Sequence, residues 1–280
     1  MDNNIITTEH IDAYCLSLLA DERSAGTISK YRRDLTAFSR WLGGRIVTKE
    51  TAAGWKNYLS HCGYAPRTIN SMLAALNSFF RFMDWHIKVK FLKIQRQIFR
   101  DSAKELTKEE YDRLLTAARE SGQERLALIM ETLCATGIRV SELRYITVEA
   151  ALAGRATITL KGKIRTILLP AKLCRKLVKY ARKQKTAAGE IFLTSSGKGI
   201  SRRQVWFELK RLCKAAGVEP TKVFPHNLRH LFATTFYRAQ RDIVRLADML
   251  GHSSIDTTRI YLTVSGTEQQ RQLDRLGLVS

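Results

Sequence analysis

Ala156-Thr157-Ile158-Thr159-Leu160-Lys161-Gly162-Lys163-Ile164-Arg165-Thr166-Ile167-Leu168-Leu169 is where the hydrophobic period of this chain switches to two. Two alternating runs meet at Lys161-Gly162-Lys163, a pattern that predicts an antiparallel β-hairpin. Almost everything around it carries the three-and-four spacing of helices. Upstream, Thr107-Lys-Glu-Glu110 reads as a capping box ahead of an apolar helix. A helix over 123–136 stops at Gly137, and another runs from Val140 to Ile146. Downstream, Pro170 opens a helix, Ile191–Thr194 reads as one more short strand, and a helix over 201–216 stops at Gly217. Helices over 226–240, 242–250 and 256–263 follow, with a tail to Ser280.

The N-terminal third is helical throughout. Residues 9–20 place Ile11, Tyr14, Cys15, Leu18 and Leu19 on one face, and residues 27–42 do the same with Ile28, Tyr31, Leu35, Phe38, Trp41 and Leu42. A third helix carries Trp55, Tyr58 and Leu59, and a fourth begins at Pro66 and continues through Met83. Beyond Ile87 the periodicity fades and the chain turns basic. The expected class is therefore mainly α: an N-terminal helical bundle over residues 1–90, a linker over 91–104, and a mixed α domain with a small antiparallel sheet over 105–280.

Charge narrows the partner. Lys and Arg number 47 against 26 Asp and Glu, a net of +21. The first hundred residues hold 15 basic and 8 acidic side chains, and the remainder 32 and 18, so both parts are basic. A basic surface in two parts suits a double-stranded nucleic acid, with ribosome association, anionic lipid or mere solubility as the blander readings. The basic residues are spread along the chain, which disfavours a lipid-binding segment. No apolar run approaches the ~18–20 residues of a membrane span, and the polar N-terminus MDNNIITTEH lacks the pattern of a secretory signal. The five cysteines form no C-x-x-C pair, so the expectation is buried thiols in a cytoplasmic protein.

Four segments carry unusually placed polar residues. In Gly137-Ile-Arg139-Val-Ser-Glu142, Arg139 follows a glycine turn, and Glu142 lies three residues on, where it could orient the guanidinium. His226 and Arg229 stand three apart at the start of a helix; His252 follows Leu250-Gly251; Tyr261 comes nine residues later. Taken singly, each has an ordinary explanation: a surface ion pair, a chance pairing, a helix C-cap and a core tyrosine.

Their order and spacing together closely resemble the tyrosine recombinase family, which includes phage integrases and the Xer-type and Cre recombinases. The resemblance covers essentially the whole chain. It implies that residues 1–90 form a core-binding domain and residues 105–280 a catalytic domain. Tyr261 would be the nucleophile of a 3′-phosphotyrosyl intermediate, and Arg139 and Arg229 would clamp the scissile phosphate. His226 and His252 would hydrogen-bond that phosphate, with His226 taking the tyrosine proton, and Glu142 would support the group from behind. Lys161 would protonate the leaving 5′-oxygen, with Lys163 its rival because the turn is one residue ambiguous.

The same resemblance implies no cofactor, no metal and no ATP, a specific double-stranded DNA site, and a homotetramer or a pairing with a related recombinase, without excluding an accessory protein. Helices beginning near residue 9 leave no room for an arm-binding domain, which points to Xer-type dimer resolution or a small mobile-element integrase. A type IB topoisomerase-like enzyme and a non-catalytic DNA-binding protein of the same fold remain the alternatives.

Overall fold

Aromatic residues at helical spacing build the first of two units into which the chain divides, residues 1–96 and 97–280. The structure, a computed structural model, describes residues 4–95, 102–160, 163–261, 270–271 and 274–276. Helices α1 (Thr8–Ala20), α2 (Ala25–Leu42), α3 (Lys49–His61) and α4 (Pro66–Phe82) bury Tyr14, Leu35, Phe38, Trp55, Leu73, Phe79 and Phe80 in a shared core. Each start has a local cause. The Thr7 and Ser24 hydroxyls accept backbone N–H groups, Thr48 and Thr51 cap each other reciprocally, and Pro66 occupies the first turn of α4, where no donor is lost.

Within the aperiodic stretch, residues 88–92 run along α4 without helix. Asn77 accepts from the Val89 amide and donates to its carbonyl, both at 2.9 Å. Asn70, two helical turns earlier, treats Leu92 the same way at 2.8 and 2.9 Å. Two asparagines thus act as a partner strand, satisfying backbone groups that no helix or sheet serves among the described residues.

The second unit is organised around α6 (Glu124–Thr136), in which Leu126, Ala127, Leu128, Ile129, Met130, Thr132, Leu133 and Thr136 are buried, so that all its faces are covered. Against it lie α5 (Lys108–Glu120), α8 (Ala171–Lys183), α9 (Arg202–Ala216) and α10 (Pro225–Gln240). The expected capping box starts α5: Thr107 accepts from Glu110 N while Glu110 accepts from Thr107 N. The hairpin pairs β1 (Arg155–Leu160) with β2 (Lys163–Leu168), Ile158 opposite Arg165, and α7 (Val148–Ala153) leads into it. Helices α11 (Ile243–Leu250) and α12 (Ile255–Thr258) follow α10, with a short 3-10 turn at Arg259–Tyr261.

Three local expectations are corrected. Val140–Tyr145 is 3-10 rather than α-helical, because the Glu142 side chain reaches back to the Arg139 amide and Glu142 N bonds Arg139 O, tightening the turn. Ile191–Thr194 forms no strand; only an isolated bridge joins Leu193 to Gly199. The final helix is two pieces, and its expected end at 262–263 lies outside the described residues, as do Lys161 and most of the tail.

Candidate active site

Gly137 ends α6 in the left-handed conformation at φ 63°, and two residues later Arg139 leaves the helix axis on a rigid 3-10 turn. Only glycine fits there, since a Cβ would stand 2.3 Å from the Phe232 ring. Glu142, 1% exposed, is the anionic centre of this corner. Its Oε2 accepts the Arg139 amide at 2.7 Å and Arg165 Nη2 at 2.7 Å, while Oε1 accepts Arg139 Nη1 at 3.1 Å. Burying one carboxylate between two guanidinium groups answers the cost of removing it from water.

Arg229 projects from the first turns of α10 and is 2% exposed. Its Nη1 donates to Gly137 O at 2.6 Å and its Nη2 to Leu250 O at 2.7 Å. Those carbonyls belong to the C-terminal ends of α6 and α11, where helix dipoles place partial negative charge. Burial first, then Arg139, push the Arg229 pKa down to about 10, which leaves the guanidinium charged at neutral pH.

Nη2 of Arg229 also lies 3.0 Å from His252 Nε2, and His252 Nδ1 is 2.8 Å from the hydroxyl of fully buried Thr258. Burial, followed by Arg229, Arg139 and Arg165, lowers the His252 pKa to about 4. Tyr261, 4% exposed, packs with Ala233, Leu246 and Leu250. Its ring lies nearly parallel to that of His252, centroids 6.3 Å apart, and tilted against that of His230 at 5.1 Å. His226 is exposed as a residue, yet shielding of its ring, then Arg229, Arg139 and Arg202, lower its pKa.

Arg139 thus pairs with Glu142, while Arg229 meets His252 and His252 stacks on Tyr261; Arg229 also bonds Gly137 O at the Arg139 corner, and His226 joins through the fields of Arg229 and Arg139. Lys161 lies outside the described residues, and Lys163 is the first residue of β2. Three participants escaped the sequence reading. Arg165 reads in sequence as an ordinary strand residue, although its parity with Ile167 puts it on the inner face of the hairpin. Thr258 and His230 each sit beside a residue already singled out, in Thr257-Thr258-Arg-Ile-Tyr261 and Arg229-His230. Among the described residues no group of three His, Cys, Asp or Glu side chains is placed to hold a metal ion.

An array of buried and half-buried cations beside a tyrosine is suited to holding an oxyanion next to a phenol. Comparison with known proteins gives the family. Residues 104–268 match the phage integrase family, and residues 11–86 match its N-terminal SAM-like domain. The tyrosine recombinase XerC of Roseiflexus castenholzii is 32% identical over 90% of this chain and 88% of its own length. XerA of Pyrococcus furiosus is 29% identical over 100% of this chain and 98% of its own. Two solved structures share the fold. A lambda integrase tetramer bound to a Holliday junction has TM-score 0.73 at 22% identity, covering 93% of this chain and 78% of that one. XerH bound to its difH substrate has TM-score 0.71 at 19% identity, covering 96% and 84%. With more than half its length matched by the family and a 32% identical relative aligned nearly end to end, the chain belongs to the phage integrase family and is a tyrosine recombinase.

Proposed function

We propose that this recombinase cuts and rejoins double-stranded DNA at a specific recombination site through a phosphotyrosyl intermediate on Tyr261. The observation that carries the reading is the meeting of Arg229, His252 and Tyr261 in one buried contact set beside Arg139. The Tyr261 oxygen attacks the scissile phosphorus and forms the P–O bond of a 3′-phosphotyrosine. The bond to the 5′-oxygen breaks, and a free 5′-hydroxyl leaves. The phenol must lose its proton as it attacks, and His226, its pKa lowered by burial and by Arg229, is the acceptor. Arg139 and Arg229 hold the non-bridging oxygens as charge builds on them. Lys161 gives the leaving oxygen its proton.

Because guanidinium groups supply the positive charge that a metal ion provides elsewhere, the reaction runs without metal. Because the phosphotyrosine conserves the energy of the phosphodiester, it runs without ATP. The +21 net charge, basic in both parts of the chain, supports a DNA partner, with residues 1–90 gripping the core site and residues 105–280 carrying the chemistry. Four subunits acting on two duplexes follow from the same reading, supported by the junction-bound lambda integrase tetramer of similar fold. The test is a nicked suicide substrate carrying the cognate site. The wild-type chain becomes covalently attached in excess EDTA and without ATP, whereas Tyr261→Phe binds the DNA and stays unattached. Covalent complex formed by Tyr261→Phe, or an absolute Mg²⁺ requirement, overturns the reading.

A further inference from the structure

Arg165 is a charged residue on the inner face of a two-stranded sheet, opposite Ile158, where an apolar side chain would pack at lower cost. Its guanidinium fork reaches two segments distant in sequence: Nη2 donates to Glu142 Oε2 at 2.7 Å and Nη1 to Met249 O at 2.9 Å. Gly251, the residue before His252, leaves the space it needs, since a Cβ there would stand 2.4 Å from Nη1. Lysine, with a single nitrogen on a flexible stem, cannot reproduce this fixed two-point span.

The arrangement has a specific effect on Arg139. Arg165 shares Oε2 of Glu142 with the Arg139 amide, so the Arg139 side chain spends one nitrogen on the carboxylate, at the longer distance of 3.1 Å. At the other end the same guanidinium holds the last turn of α11, three residues before His252. We propose that Arg165 is a positioning residue that braces the Arg139 corner against the His252 turn, fixing the spacing of two sides of the phosphate cradle. This inference rests on the assignment of Arg139 and His252 to phosphate binding.

The test compares full-length Arg165→Met and Arg165→Lys in single-turnover cleavage of suicide substrates, with Arg139→Ala as the reference. One substrate has an ordinary scissile phosphate. A second has a methylphosphonate, which lacks one negative oxygen and needs the cationic cradle less. A third has a 5′-bridging sulfur, which needs no proton on leaving. Small displacements of positioning groups can cost about 100-fold in rate. Arg165→Met should therefore cleave the ordinary phosphate about 10- to 100-fold more slowly at unchanged DNA affinity. The deficit should shrink on the methylphosphonate and persist on the sulfur substrate. Arg165→Lys, which keeps the charge and loses the span, should show the same pattern with a smaller deficit, and it carries the test if Arg165→Met fails to fold. Equal deficits on all three substrates would reduce Arg165 to a structural residue, and rescue by sulfur alone would assign it to the leaving group; either overturns the proposal. Normal cleavage of the ordinary phosphate by Arg139→Ala would instead overturn the reading beneath it.

Discussion

His252 Nε2 sits 3.0 Å from Nη2 of Arg229, a group that can only donate, so the imidazole nitrogen accepts. The ring proton is therefore on Nδ1 and is given to the Thr258 hydroxyl at 2.8 Å. Arg229 from α10, Arg139 from the 3-10 turn, Arg165 from β2 and His226 from α10 all disfavour a second proton. In DNA-free protein, ¹⁵N spectra of His252 should show a neutral Nδ1–H imidazole at pH 6, titrating near pH 4. Protonation at or above the ordinary histidine value of about 6.5 contradicts this.

The same shift sets a stability slope. A histidine whose folded pKa is depressed binds fewer protons folded than unfolded between about 4 and 6.5, so stability rises with pH across that window and is lost as pH falls through it. His226 adds in the same direction. Thermal unfolding of the wild-type chain should fall between pH 7 and pH 4.5, and His252→Gln should flatten the slope. An unchanged slope in His252→Gln places the proton uptake elsewhere.

Arg229→Lys should behave almost as badly as Arg229→Ala. The guanidinium spans Gly137 O and Leu250 O, and a single ammonium cannot serve both while facing His252. Removing a comparable oxyanion donor costs about 10²–10³ in rate, so both variants should lose at least about 100-fold in covalent complex formation. Near-normal cleavage by Arg229→Lys would mean that charge alone suffices.

Gly137→Ala should impair both folding and chemistry. The left-handed backbone costs a side-chain-bearing residue about 1–2 kcal/mol, and overpacking against the Phe232 ring adds about 1–3 kcal/mol. Unfolding should shift down by several degrees, and cleavage should fall further than stability explains, because Arg139 is aimed from this stop. A variant that is less stable yet fully active would separate the two effects.

A 5′-bridging sulfur substrate also decides between the two hairpin lysines. Lys161→Ala should be inactive on ordinary DNA and active when the leaving atom is sulfur. Rescue of Lys163→Ala alone transfers the role to Lys163.

Apolar residues continue past Tyr261 at Leu273, Leu276, Leu278 and Val279, and Leu276 is exposed. A tail donated from each subunit to the next suits a closed ring. Deleting residues 267–280 should leave single-subunit DNA binding intact and abolish cooperative pairing and recombination. A truncated chain that still recombines excludes that role.

The helices were legible because α2 and α4 repeat their apolar residues at three and four, and the hairpin because its period is two. The bends were not, since they depend on tertiary contacts. The 3-10 turn at Val140–Tyr145 is tightened by the Glu142 carboxylate on the Arg139 amide, and that carboxylate is also held by Arg165, a partner 23 residues away that no local pattern announces. Arg139, Glu142, Arg229, His252 and Tyr261 could be picked out only as an ordered set. Arg165 belongs to no such set, and only the fold brings it to the site.

Arg229 is surrounded by helix ends and a neutral histidine rather than by a carboxylate of its own. A cation kept by dipoles is solvated but not neutralised, so the resting catalytic unit carries an unbalanced interior charge. On the proposed function, a phosphate of bound DNA supplies the counter-ion. Ligand binding and folding are then thermodynamically linked: cognate DNA completes the interior of the protein as well as occupying its surface. The DNA-bound chain should accordingly resist heat and proteolysis in α10, α11 and the Tyr261 turn.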